Sequence, residues 1–163
     1  ICYFSSFEES EEDQVRRMFE INVFGLSRMI RAVLPGMRKR RKGFIVNFSV
    51  IGGFRSFPST GYYNATKFAV EGLSEALWQE VEPVGIKVML VEPSGARSYG
   101  SGRSVNESKL QTDDYVAMAG ACSDQVLATS GRQPGETVRA AYLIVKAIES
   151  LNPPRRLLLG NDA

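Results

Sequence analysis

Three short apolar runs, Phe44–Ser49, Ile86–Val91 and Arg156–Leu159, are each preceded by a segment of helical periodicity, and this alternation leaves few architectures open. Such brief β-prone runs are too short for helices and fit buried strands. Helix and strand in strict alternation predict an α/β fold, a parallel sheet joined by crossover helices.

The first helix is predicted over 11–41. Ser10 caps an acidic first turn of Glu11, Glu12 and Asp13, and Val15, Met18, Phe19, Leu26, Met29, Ile30, Val33 and Met37 recur at helical spacing. The basic run Arg38–Lys42 before Gly43 suits the negative pole of the helix dipole, and Pro35 is expected to kink the last turns. A second helix is predicted over 62–81. Its small residues Ala65, Ala69, Gly72 and Ala76 permit close packing, and Pro83-Val84-Gly85 stops it. Pro134 is expected in the first turn of a third helix, with Val138, Ala141, Tyr142, Val145 and Ile148 on one face. Three strands are few for an independent doubly wound domain, so part of a larger sheet is expected to be missing. The insertion 94–131, with a short helix around 113–127, sits where such folds build ligand lids.

Composition removes whole classes of chemistry. The 163 residues contain no histidine, which excludes imidazole bases, His-based hydrolase triads and His-ligated zinc. A net charge of +2 argues against a nucleic-acid partner, and the basic run at 38–42 reads as a solvated helix end. Cys2 and Cys122 lie far apart in no metal-like spacing, so reduced thiols in a cytoplasmic setting are expected, with no metal. No stretch has the length and apolarity of a membrane span, and none is expected to contact a membrane.

Tyr63 and Lys67 lie at i and i+4 near the start of the second helix, so both emerge on one face beside the end of the first strand. A phenol next to an ammonium is a sensible proton donor and acceptor. Asn22 falls inside the apolar stripe of the first helix, where a polar side chain must find partners.

With Asn47-Phe48-Ser49-Val50-Ile51-Gly52-Gly53, Tyr63-Asn64-Ala65-Thr66-Lys67, Val91-Glu92-Pro93-Ser94-Gly95 and Asn22-Val23-Phe24-Gly25 in this order, the sequence resembles the short-chain dehydrogenase/reductase family over nearly its whole length. The resemblance implies a Rossmann-like sheet and hydride transfer between NAD or NADP and a small carbonyl or alcohol substrate. It makes Tyr63 the acid/base. Lys67 would lower the tyrosine pKa and hold the cofactor ribose, and Asn22 would anchor a water in a proton relay. Pro93, Ala96 and Ser98 would line the nicotinamide site together with Tyr63 and Lys67. The first two helices would form the face of a homo-oligomer, as they commonly do in that family. Phe54, Phe57, Tyr62, Tyr99 and Val105 are candidates for an apolar substrate pocket.

Two departures matter. The family's serine stands thirteen positions before the tyrosine, where this chain has Val50; the adjacent Ser49 is the candidate catalytic serine that the resemblance leaves, although neighbouring strand residues face opposite sides unless the strand end is bulged. The glycine-rich turn G-x-x-x-G-x-G also occurs nowhere in the sequence. The expectation is therefore that residues 1–163 are the carboxyl-terminal part of one Rossmann-like dehydrogenase domain, beginning after its fourth strand. Two functions remain open: an oxidoreductase present as a fragment, or a catalytically impaired remnant acting only through helix-mediated association.

Overall fold

The computed structural model describes residues 1–95, 97, 105–109 and 112–160. Three strands, β2 (Gly43–Phe48), β3 (Ile86–Pro93) and β5 (Arg156–Leu159), form an all-parallel sheet in the order β2-β3-β5. Gly43 pairs with Ile86 and Phe48 with Val91, while Leu90 pairs with Arg156 and Pro93 with Leu159. The sheet is thus the predicted partial Rossmann-like one, with α3 (Gly61–Val81) as the crossover between β2 and β3.

A second sheet was not legible in the sequence. β1 (Cys2–Phe4) pairs in parallel with β4 (Val105–Glu107), so a strand precedes the first helix and another lies inside the 94–131 insertion. Three residues carry too little periodicity to be read locally.

The first helix occupies nearly its predicted span but is not uniform. α1 (Glu12–Phe19) passes through a π-helical turn at Glu20–Gly25 into α2 (Leu26–Arg40), which continues through Pro35. Arg41 then takes a left-handed conformation, and Lys42 N–H donates to the Met37 carbonyl at 3.2 Å, closing the helix before Gly43. Gly85, which follows a short 3-10 turn after α3, has φ +79°. A Cβ there would lie 2.3 Å from the Arg41 carbonyl oxygen, so only glycine lets these two chain reversals touch.

One face of the sheet is sealed by α2 and α3. Ile45, Val70, Leu77, Trp78, Val81, Ile86, Val88 and Leu90 form the buried cluster, with Leu26, Ile30, Leu34 and Met37 packed against it. In the insertion, α4 (Asp113–Tyr115), a π-helical turn at Val116–Gly120 and α5 (Ala121–Ala128) fill the span predicted for one short helix. The last helix, α6 (Thr137–Glu149), begins three residues after Pro134. The residue before it, Glu136, is still extended, so the proline precedes the helix and does not occupy its first turn. Its apolar face is not covered: Val138 is 82% exposed and Tyr142 56%.

Candidate active site

α3 presents Tyr63 and Lys67 on one face, with Lys67 Nζ 5.8 Å from the centre of the Tyr63 ring. Lys67 donates to the Phe48 carbonyl at the end of β2 at 3.1 Å, which ties the helix face to the strand end. An ammonium has three donors, so two remain for a ligand. Asn22, in the π-helical turn, donates from Nδ2 to the Ile1 carbonyl at 2.8 Å and to Thr66 Oγ1 at 3.1 Å, and Thr66 Oγ1 donates to the Tyr63 carbonyl at 2.7 Å. The predicted polar residue in the apolar stripe therefore joins the start of β1 to the turn of α3 that carries Tyr63. An irregular turn inside a helix often marks a functional site, and here it aims an amide that would otherwise lie on the packed stripe.

The electrostatics differ from the expectation that Lys67 lowers the tyrosine pKa. Burial pushes the Tyr63 phenol above its ordinary range, and the neighbouring Cys2 thiol adds to this. Burial also lowers the Lys67 ammonium, opposed by Cys2 and Glu71. Desolvation penalises both charged forms, and at this separation the lysine does not offset it for the phenolate. Cys2 itself is raised to about 12, again chiefly by burial, so its thiol stays protonated.

Ser49 does not join this group by any hydrogen bond. It is 1% exposed, its Oγ is buried without a partner, and it faces Gly53, where an added Cβ would lie 2.5 Å from Ser49 Oγ and 3.0 Å from Glu71 Oε1. Asn47, two residues earlier on the same strand, likewise turns inward and donates to Ser74 Oγ on α3 at 2.8 Å. Strand alternation sets Val50 on the other side. Val50 is extended, with φ −161° and ψ 173°, and opens the 3-10 turn Ile51–Gly53. No bulge brings the Ser49 hydroxyl round.

Of the other predicted site residues, Pro93 ends β3, whereas Ala96 and Ser98 lie outside the described residues. A cleft of about 630 Å³ opens beside Pro93, Ser94 and Gly95, at the carboxyl ends of β3 and β5. That is where parallel α/β sheets bind ligands. The proposed pocket aromatics are dispersed: Phe54 lies under the Arg156 guanidinium, Phe57 beside Arg55, and Tyr62 stacks on Phe7 at 4.8 Å. Val105 is in β4, and Tyr99 lies outside the described residues.

Asn64 was not singled out from the sequence, although it sits inside the Tyr63–Lys67 motif. It is 1% exposed, accepts from Phe57 N–H and Thr60 Oγ1 on Oδ1, and donates to the Gly52 carbonyl. One amide thereby clamps the whole 52–60 connection onto α3. Cys2, which faces the pair electrostatically, also carried no local signal.

A model of the short chain dehydrogenase family matches residues 2–108. The chain belongs to that family. Among short-chain dehydrogenase relatives, it is 38% identical over 156 residues to the 3-ketodihydrosphingosine reductase of Bacteroides thetaiotaomicron, covering 95% of this chain and 58% of that protein. It is 31% identical to human retinol dehydrogenase 8, covering 87% of this chain and 48% of that one. A solved short-chain dehydrogenase from Streptomyces avermitilis is 39% identical, with a TM-score of 0.88, covering 99% of this chain and 58% of the other. A Burkholderia phymatum family member solved in complex with NAD shares the fold at 22% identity, with a TM-score of 0.81, over 97% of this chain and 57% of that one. The chain thus spans about half the length of these short-chain dehydrogenases.

Proposed function

We propose that this chain supplies the proton-transfer side of an NAD- or NADP-dependent oxidoreductase acting on a small carbonyl or alcohol. The observation that carries the reading is the Tyr63–Lys67 face, tied through Lys67 to the end of β2 and through Thr66 to Asn22. The Tyr63 phenol is protonated at neutral pH and can give its proton to a carbonyl oxygen as that oxygen becomes an alkoxide, the direction of reduction; burial makes the phenol a weaker acid, so the basicity of the developing alkoxide drives the transfer. Lys67 orients the site and offers two free donors to vicinal hydroxyls, as on a ribose, with Pro93, Ala96 and Ser98 at the nicotinamide. When bound, the nicotinamide supplies or accepts the hydride. The residues present fit the nicotinamide-ribose half of such a cofactor. No glycine-rich turn for its pyrophosphate occurs in the sequence.

Calorimetric titration of the 163-residue chain with NADH or NADPH is expected to give no saturable heat below roughly 1 mM, because no helix N-terminus behind a glycine-rich turn is available for the phosphates. A chain extended ahead of Ile1 by the amino-terminal part of an NAD-binding short-chain dehydrogenase is expected to bind. In it, Lys67→Met should weaken binding about tenfold or more, the worth of hydrogen bonds from a charged donor. An extended chain that binds neither dinucleotide, or is indifferent to Lys67→Met, would overturn the reading.

The same reading assigns the chain to a homo-oligomer. Phe24, Met29 and Val33 along the first helical segment, and Phe68 and Leu73 on α3, are all more than a third exposed. Apolar side chains concentrated on two helices favour association. Sedimentation velocity is expected to show little monomer at micromolar concentration; a stable monomer would count against the interface. Both cysteines are free, which fits a reducing, cytoplasmic setting. Among the described residues no helix is long and apolar enough to cross a membrane.

A further inference from the structure

A second cavity, of about 310 Å³, lies between the β1–β4 ribbon and the α4–α5 segment, and neither Tyr63 nor Lys67 lines it. Its volume is at the lower end of the roughly 300–1,000 Å³ usual for small-molecule sites. Glu9 is its buried acid. That side chain is 7% exposed, accepts from Ser6 Oγ at 2.6 Å and from Thr112 N–H, and is held by these donors below the usual carboxylate range. It is therefore charged at neutral pH. Glu107, which accepts from Ser123 Oγ, and Asp124 add two further carboxylates to the wall.

Nothing among the described residues balances this charge. Among the described residues no Lys or Arg lines the cavity, and none of Glu9, Glu107 and Asp124 takes part in an ion pair. A nearly buried carboxylate ordinarily has a cationic partner. A separate observation points the same way. Ser59, also in the wall, is 6% exposed and its Oγ has no hydrogen-bond partner, although a buried hydroxyl normally finds one. Its backbone is fixed by Ser5 N–H donating to the Ser59 carbonyl at 2.9 Å, and the residue lies in the cavity wall.

We propose that this cavity binds a small ammonium compound that also carries hydroxyl groups, an amino alcohol. The ammonium answers Glu9 and its two neighbouring carboxylates, and a ligand hydroxyl meets Ser59 Oγ. A neutral polyol satisfies only the serine, and a carboxylate-bearing ligand is repelled. The site stands apart from the hydride-transfer reading and needs no cofactor, so its test is one of binding alone.

The probe is 2-amino-1,3-propanediol, titrated into the 163-residue chain at neutral pH and followed by calorimetry and amide chemical shifts. Glycerol, which replaces the ammonium by a hydroxyl on the same skeleton, is the control. Saturable binding is expected, at least about tenfold tighter than glycerol, the worth of one charge-assisted contact. Shifts should centre on Ser6, Glu9, Ser59 and Ser123. Glu107→Gln, on an exposed residue, should weaken the amine severalfold and leave glycerol unchanged; Ser59→Ala should weaken both. Glu9→Gln should abolish the preference, but it also removes the acceptor for Thr112, so the Glu107 variant carries the test if that protein unfolds. Absence of saturation, equal affinity for the two probes, or shifts confined to other surfaces would overturn the proposal.

Discussion

In the chain extended at its amino end by the cofactor-binding part of a relative, Val50→Ser is expected to raise kcat by roughly 10²–10³-fold, the usual worth of one donor aimed at developing charge. Position 50 opens the turn after β2 from an extended backbone, so a serine there needs no rearrangement to present its hydroxyl. Valine offers no donor, and the unsubstituted extended chain is expected to be slow but active. On the proposed function Tyr63→Phe should reduce turnover to background, since the phenol would be the proton source and residues 1–163 contain no histidine to replace it. Ser49→Ala should leave kcat within a few-fold, because that hydroxyl faces Gly53 and Glu71. The measurement is NADH and NADPH oxidation with a panel of small ketones and aldehydes. If Ser49→Ala removes activity while Val50→Ser changes nothing, the assignment of this strand end is wrong by one residue.

The second large effect concerns stability. Arg156, at the start of β5, donates to Glu71 on α3, to Glu92 on β3 at 2.9 Å and to Glu75 at 3.4 Å, with its guanidinium also over Trp78 and Phe54. Glu92 is 1% exposed, and its carboxyl is raised above the usual range by burial and by Glu71, with Arg156 opposing. Arg156→Leu removes the cation and leaves two buried carboxylates facing each other. Breaking such a group typically costs about 3–5 kcal/mol, a fall in Tm on the order of 10 °C for a chain of this size.

The pH dependence has a definite sign. A carboxyl whose folded pKa is raised binds more protons folded than unfolded, so it favours the folded state increasingly as pH falls through its folded pKa. Without Arg156 that pKa rises further. The stability deficit of Arg156→Leu should therefore be largest at neutral pH and shrink on acidification toward the ordinary glutamate range. Adding Glu92→Gln should recover much of the loss at pH 7. Urea denaturation of the single and double variants at several pH values reads this directly; a deficit independent of pH would mean that packing on Trp78, and not charge, is what Arg156 contributes.

The parts of the molecule written in local periodicity were legible in the sequence. β2, β3, β5 and α3 fall within two residues of their expected bounds, because apolar runs and helical spacing each report on contacts within a few residues. The Tyr63–Lys67 face follows from i, i+4 geometry alone, and Asn22 betrayed itself by being polar on an apolar stripe. The exposed face of α6 shows where that reasoning stops. An amphipathic pattern says which side of a helix is apolar, but not what covers it.

Only the tertiary structure decided the rest, and in each case the deciding partner is distant in sequence. β1 is a strand because Val105–Glu107 lies beside it, a pairing across about a hundred residues that three residues cannot encode locally. Asn64 acquires its role from the 52–60 connection folding back onto α3, and Arg156 from two carboxylates brought to it by a helix and a neighbouring strand. Glu9 becomes a buried charge when the segment after β4 closes over it through Thr112. The pKa of Tyr63 also turned on desolvation, which depends on everything packed around the phenol. Sequence fixes which groups carry charge and how their nearest neighbours are spaced; burial, which sets the energy of those charges, is a property of the assembled fold.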